Sequence, residues 1–166
     1  GLLGANLPKA YGVSEVSNVA YGLIMYELER ADSGLRSFAS VQGALVMYPI
    51  FAFGSDEQND RWLTPLVAGE KIGAIAMTEP GTGSDLASIA TTARPDGDDF
   101  VLNGAKTFIS NGLLADFVIV VARTDADAGR NGFSLLVVED GMPGFTRSGP
   151  LKKIGLGAQD PALGAS

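Results

Sequence analysis

The hydrophobic spacing of this chain changes once, at Gly69, and that change limits the architectures open to it. Before Gly69, apolar residues recur at three- and four-residue intervals; after it they alternate or gather in short β-branched runs. Helices first and strands afterwards is the order of an α+β protein with segregated layers. A doubly wound α/β sheet would interleave them.

On the helical side, Val16, Val19, Ala20, Leu23, Ile24, Glu27 and Leu28 fall on related faces and predict a helix from Ser14 to about Ala31, with Ser14 as N-cap. Asp32-Ser33-Gly34 breaks it. The segment from Leu35 to Phe53 is apolar on nearly every side, which predicts a buried helix bent near Pro49. Ser55 followed three residues later by Gln58 is a capping-box pattern; the helix it starts carries Trp62 and Leu63 inward and ends around Gly69. On the strand side, segments near 71–78, 89–94, 99–103, 105–109, 116–123 and 132–138 have strand composition. Pro95-Asp96-Gly97-Asp98 is a hairpin turn, Asp127 to Gly132 a polar connection, and Phe117 to Val121 a strand buried on both faces.

Composition removes several function classes. The absence of cysteine excludes disulfides and thiolate chemistry, and the absence of histidine excludes Ser-His and Cys-His nucleophile systems and the commonest transition-metal ligand. No metal site is expected. A net charge of -7 without a Lys/Arg stripe disfavours a nucleic-acid partner, although an anionic cofactor is compatible, since backbone amides can hold one. With 46% hydrophobic residues in 166, a core is affordable and disorder is not expected. No run approaches the roughly 18 apolar residues of a membrane span, and no basic-then-apolar leader opens the chain. The expectation is a soluble, cytoplasmic protein, and Gly1 in place of Met reads as a fragment or processed product.

Two stretches carry candidate chemistry. Ala76-Met77-Thr78-Glu79-Pro80-Gly81-Thr82-Gly83-Ser84-Asp85 places two glycines, able to take positive φ, and three hydroxyls on one bend, a combination that suits a phosphate or a flavin edge. Read without a ligand, it is a polar turn whose Ser84 or Asp85 caps a short helical piece at Leu86-Ala87-Ser88. The second stretch is Asn103-Gly104-Ala105-Lys106-Thr107-Phe108-Ile109-Ser110-Asn111-Gly112, which read alone is a strand with an inward Phe and a Ser-Asn-Gly turn. Glu79 and Asp85 invite a paired-carboxylate reading, but turn and capping roles satisfy both more simply.

These two stretches in this order, with Gly54-Ser55-Asp56-Glu57-Gln58 upstream and Leu151-Lys152-Lys153-Ile154-Gly155 downstream, resemble the flavin-dependent acyl-CoA dehydrogenase family. The resemblance covers nearly the whole chain. It implies the end of a helical N-terminal domain over residues 1–70, then an incomplete, antiparallel β-barrel-like middle domain over 71–166; the family's C-terminal helical bundle is absent. It further implies FAD, contacted by Ile75, Ala76, Met77, Thr78, Gly83, Ser84, Phe108, Ile109 and Ser110. Met77 and Thr78 would lie at the isoalloxazine ring, Ser84 near the pyrophosphate and the acyl-CoA, Phe108 against the flavin face where relatives carry Trp, and Ser110 near N5. The implied reaction is α,β-dehydrogenation of an acyl-CoA thioester with hydride passing to the flavin. The family's catalytic base is a glutamate of the C-terminal bundle, so no residue here inherits that role and the fragment alone should not complete the reaction.

The run from Glu29 to Ser37, with Ser40-Val41-Gln42 and Leu45-Val46-Met47, is similar to the glutaryl-CoA dehydrogenase branch, where the positions of Arg36 and Ser37 meet the distal carboxylate. The bland counterpart is an Arg paired with Asp32 or solvated at a helix start. Gly81-Thr82 and Leu151 to Leu156 look more like straight- or branched-chain dehydrogenases. Electron-transfer flavoprotein as acceptor, a homo-oligomer, namely a homotetramer, and the mitochondrial matrix in a eukaryote are further implications. Two other readings stay open: an acyl-CoA oxidase or flavin monooxygenase on the same scaffold, and a non-catalytic association module.

Overall fold

The computed structural model describes residues 1–152, 154 and 163–165. Four helices lead: α1 (Asn18–Ala31), α2 (Ser33–Ser40), α3 (Tyr48–Phe53) and α4 (Asp56–Ala68). The capping box at Ser55 is present in full, the Ser55 hydroxyl accepting from the Gln58 amide and the Gln58 side chain accepting from the Ser55 amide. Gly69, at φ 76°, closes α4 in the left-handed region where glycine is at no disadvantage.

Two helical expectations are corrected. α1 is capped by Ser17, whose hydroxyl accepts from the Ala20 amide, not by Ser14. The Val16 amide is committed to the Ala5 carbonyl and Glu15 sits at φ 51°, so the chain cannot be helical before Ser17. The segment from residue 35 to 53 is not one uniform α-helix. α2 runs into α3 through a π-helical stretch, Val41–Met47, and Pro49 is the second residue of α3. Nor is this helical run buried all round: Leu35, Tyr48 and Phe53 are exposed, as are Val19, Leu23 and Tyr26 of α1.

Seven strands follow among the described residues: β1 (Gly73–Ala76), β2 (Thr92–Asp96), β3 (Asp99–Lys106), β4 (Phe117–Arg123), β5 (Phe133–Glu139), β6 (Phe145–Arg147) and β7 (Leu163–Ala165). β4 is central, as its buried residues 117–120 require. It pairs antiparallel with β5 and parallel with β1, and meets β2 in parallel at Thr92–Arg123. β2 and β3 form a hairpin turning at Gly97 (φ 63°), and β3, β7 and β6 continue antiparallel. The sheet is therefore mixed, curling into a half-barrel, with its two parallel contacts at β4. β3 is one strand through Gly104 where the sequence suggested two, and it ends at Lys106, leaving Phe108 and Ile109 outside the ladder. Of the downstream family match, Lys153, Gly155 and Leu156 lie outside the described residues.

Helices and sheet share one core. Leu7, Val46, Met47, Leu63 and Leu66 pack with Trp62, whose ring lies 4.4 Å from that of Phe117 on β4. The fully buried Gln42, on the π-helical stretch, fixes the junction. Its amide donates to the Lys71 carbonyl at 2.7 Å and its oxygen accepts from the Gly73 amide at 3.0 Å. Gly73 has no room for a side chain, since a Cβ there would collide with Val46 Cγ1. A satisfied buried amide and a forced glycine thus set where β1 begins. Among the described residues no helix is long and apolar enough to cross a membrane.

Candidate functional site

β1 delivers the chain to the first bend. Ile75 packs toward the helical layer and Ala76, fully buried, into the half-barrel, so the side chains of this pair face protein and only their backbone can face a ligand. Beyond Ala76 the chain folds tightly on itself: the Glu79 amide donates to the Thr82 carbonyl at 2.9 Å and the Thr82 amide to the Glu79 carbonyl at 3.1 Å, with Pro80-Gly81 at the corner. Neither Gly81 nor Gly83 takes positive φ, contrary to the sequence expectation, and a Cβ on either would meet nothing within 4 Å. Gly83 and Ser84 are exposed. Thr82 then donates its hydroxyl to the Ser88 carbonyl, and the carboxylate of Asp85, at the N-cap position of the 3-10 turn Leu86–Ser88, accepts from the Ser88 hydroxyl and from no backbone amide, so the side-chain cap expected of Ser84 or Asp85 is not made.

The second bend lies directly against the first. The Thr107 amide donates to the Thr78 carbonyl at 2.9 Å, and the Lys106 ammonium donates to the Met77 carbonyl at 3.0 Å. Two consecutive carbonyls of the first bend are thus held by two consecutive residues of the second. Phe108 follows at φ 57° with its ring 61% exposed, a left-handed backbone that a bulky residue adopts only at a cost. Ile109 turns inward and is buried, Ser110 is half-buried, and Asn111, also left-handed, closes the turn. The Ile109 carbonyl accepts from Gly112 and that of Asn111 from Leu114. The expected inward Phe is thus outward, and the inward residue is its neighbour.

Beneath both bends lies a buried ion pair, Glu79 with Lys106, at 3.0 Å. The Glu79 carboxylate accepts from four donors: the Ala90 and Thr91 amides, the Thr91 hydroxyl and the Lys106 ammonium. Burial opposes its charge, but those hydrogen bonds outweigh it and hold the carboxyl at about 2. Burial likewise pushes the Lys106 ammonium down, with Glu79 opposing the shift. Gly104 is part of the same device, because a Cβ there would collide with the Thr91 side chain. Glu79 and Asp85 have separate partners, so no carboxylate pair exists. Sequence reading had no role for Lys106 or Thr91; the one available signal was a glycine inside a strand, two residues before the lysine, which marks a close approach.

Arg36 and Ser37 lie in α2. Arg36 pairs with Glu29 of α1 and lies within 3.4 Å of the Ser40 hydroxyl. The expected partner, Asp32, instead caps α2, accepting from the Leu35 amide at 2.9 Å. Ser37 is buried. The Ser33 hydroxyl and the Arg36 guanidinium together hold the Glu29 carboxyl below its usual range.

A helical layer thus feeds a curled mixed sheet, with two hydroxyl-bearing bends tied together at its rim. Sequence models of the acyl-CoA dehydrogenase N-terminal domain and middle domain match residues 1–70 and 74–162, so the chain belongs to the acyl-CoA dehydrogenase family. Among curated relatives, it is 45% identical over 165 residues to the mitochondrial long-chain specific acyl-CoA dehydrogenase of Sus scrofa, covering 98% of this chain and 38% of that one. It is 40% identical over 156 residues to the 3-(aryl)acrylate reductase of Clostridium sporogenes (strain ATCC 15579), covering 94% and 41%. The fold also superposes on a glutaryl-CoA dehydrogenase from Mycobacterium smegmatis in complex with FADH2, with a TM-score of 0.93 and 44% identity over 100% of this chain and 42% of that one. The chain thus spans about two fifths of the length of these relatives.

Proposed function

We propose that this chain supplies the flavin-facing wall of an FAD-dependent acyl-CoA dehydrogenase, the helical residues 1–70 and the strand-rich residues 71–166 acting as its two domains. The observation that carries the reading is the pairing of the bends: hydrogen bonds from Thr107 and Lys106 to adjacent carbonyls bring Thr78 and Phe108 to one rim. The residues present suit the group. Gly81 and Gly83 are demanded neither by backbone conformation nor by protein packing, which leaves their amides open to close approach by another molecule. Phe108 spends backbone strain to hold an aromatic face in the open, an arrangement suited to stacking on a planar ring. The FADH2 complex of the related dehydrogenase supports the same cofactor here.

FAD, when bound, supplies the acceptor for the hydride leaving the β-carbon of the acyl thioester. The chain's residues bind and orient. Thr78 offers its hydroxyl and amide to the ring edge, with the backbone of Ile75, Ala76 and Met77 beside it; Phe108 and Ser110 face the ring with Ile109 anchoring their turn; Gly83 and Ser84 meet the phosphates and the thioester ligand. Glu79 is no base for the α-proton, because four donors saturate it. The resemblance to the family assigns proton acceptance to a glutamate of the C-terminal bundle, a role that no residue described here takes in this reading.

Arg36 and Ser37 select a distal carboxylate in this reading, making glutaryl-CoA a preferred substrate, as the M. smegmatis likeness supports. A bound dicarboxylate has to share Arg36 with Glu29 or displace it. Electron-transfer flavoprotein as acceptor and homo-oligomeric assembly complete the proposal. The test is anaerobic mixing of the FAD-loaded complete gene product with glutaryl-, butyryl- and longer acyl-CoA thioesters: bleaching of the flavin band supports dehydrogenation, and a flavin that no thioester bleaches overturns it.

A further inference from the structure

We propose that Lys106 and Glu79 are positioning residues: the buried ammonium, aimed by the carboxylate, grips the Met77 carbonyl and so fixes the face that the Met77–Thr78 peptide presents to the flavin. This rests on the flavin reading of the site above. A buried ion pair is a poor device for stability alone, since its desolvation offsets much of its attraction and a well-packed apolar pair would often serve as well. Its retention in the interior of a half-barrel, with side chains 4% and 6% exposed, therefore calls for another role.

The geometry supplies one. Lys106 Nζ has two partners at 3.0 Å, the Glu79 carboxylate and the Met77 carbonyl. A trans peptide points its C=O and N–H to opposite sides, so a Met77 carbonyl turned onto Lys106 turns the Thr78 N–H away from it. The next carbonyl, that of Thr78, is held by the Thr107 amide, and the next amide, that of Glu79, is spent on Thr82. The Met77–Thr78 peptide is thus held at its own carbonyl and through the fixed peptide that follows it, and the Thr78 amide is delivered in one orientation. Glu79 cannot follow the ammonium if it drifts, because Ala90 and Thr91 hold the carboxylate from the other side. Gly104 gives Thr91 the space to do so. The second bend therefore both borders the site and orients the first.

The experiment uses the complete gene product saturated with FAD, comparing wild type with Lys106→Met, Lys106→Arg and Thr91→Val. Flavin affinity is read by fluorescence, and the absorption maxima and reduction potential of the bound flavin are read at saturation, where a role in folding alone moves neither. Lys106→Met is expected to weaken FAD binding at least tenfold and to displace both the spectrum and the potential, while Lys106→Arg recovers most of the affinity. Should Lys106→Met not fold, Thr91→Val, which loosens Glu79 and leaves both charges in place, is expected to weaken FAD binding threefold or more with a displaced potential. Wild-type affinity, spectrum and potential in folded Lys106→Met, or in Thr91→Val where that variant stands in, overturn the positioning role and leave the flavin reading intact. A wild-type protein that binds no FAD removes the flavin reading itself.

Discussion

Replacing Glu79 by glutamine should change how stability depends on pH, not only how much stability there is. The folded protein holds this carboxyl at about 2 against an ordinary 4.5. A difference of that size corresponds to about 3 kcal/mol at roughly 1.4 kcal/mol per pH unit. The folded pKa is depressed, so this stabilisation is complete above the unfolded value and is lost as pH falls through 4.5 toward 2. Burial pushes the Lys106 ammonium below its ordinary value, with Glu79 opposing the shift. At neutral pH, Glu79→Gln leaves the ammonium buried without its counter-charge and should cost about 3–5 kcal/mol. At pH 2 the wild-type carboxyl is itself half neutral and that gap should have narrowed by most of about 3 kcal/mol. Urea unfolding followed by the fluorescence of Trp62, which packs on Phe117 in the core, measures the gap at pH 7, 4, 3 and 2. Parallel profiles for the two proteins across that range would refute the buried-pair energetics.

Three further outcomes follow from the site. Gly83→Ala adds a methyl where the protein has nothing within 4 Å, so unfolding free energy should move by less than about 0.5 kcal/mol while FAD affinity falls at least tenfold; unchanged affinity contradicts a ligand over this glycine. Phe108→Gly relieves a left-handed backbone costing about 1–2 kcal/mol, so the flavin-free protein should unfold at equal or higher urea while FAD binding weakens, and a loss of stability contradicts the strain assignment. Arg36→Leu should lower kcat/KM for glutaryl-CoA far more than for butyryl-CoA; equal losses remove the dicarboxylate assignment.

Features written in local chemistry were legible. The capping box at Ser55, the stop at Gly69, the turn at Pro95 to Asp98 and the doubly buried run at Phe117 each depend on residues within a few positions of one another, and each is where the sequence placed it. What escaped depends on distant partners. Ser14 and Ser17 are equivalent caps until Ala5 claims the Val16 amide. Uniformly apolar sequence from Leu35 to Phe53 offers no mark by which a π-helical stretch could be told from an α-helix, and its exposed side chains look no different from its buried ones. The parallel pairing of β1 with β4 joins segments more than forty residues apart. Of the site, the two bends were visible as text, yet the ties between them, Thr107 to Thr78 and Lys106 to Glu79, exist only after the hairpin of β2 and β3 has folded back.

Hydrogen–deuterium exchange of the flavin-stripped complete gene product, with and without saturating FAD, asks most directly whether both bends meet the cofactor. Backbone amides at 77–84 and at 107–112 should slow together when FAD is added. FAD that binds while both segments exchange as fast as before would contradict the account.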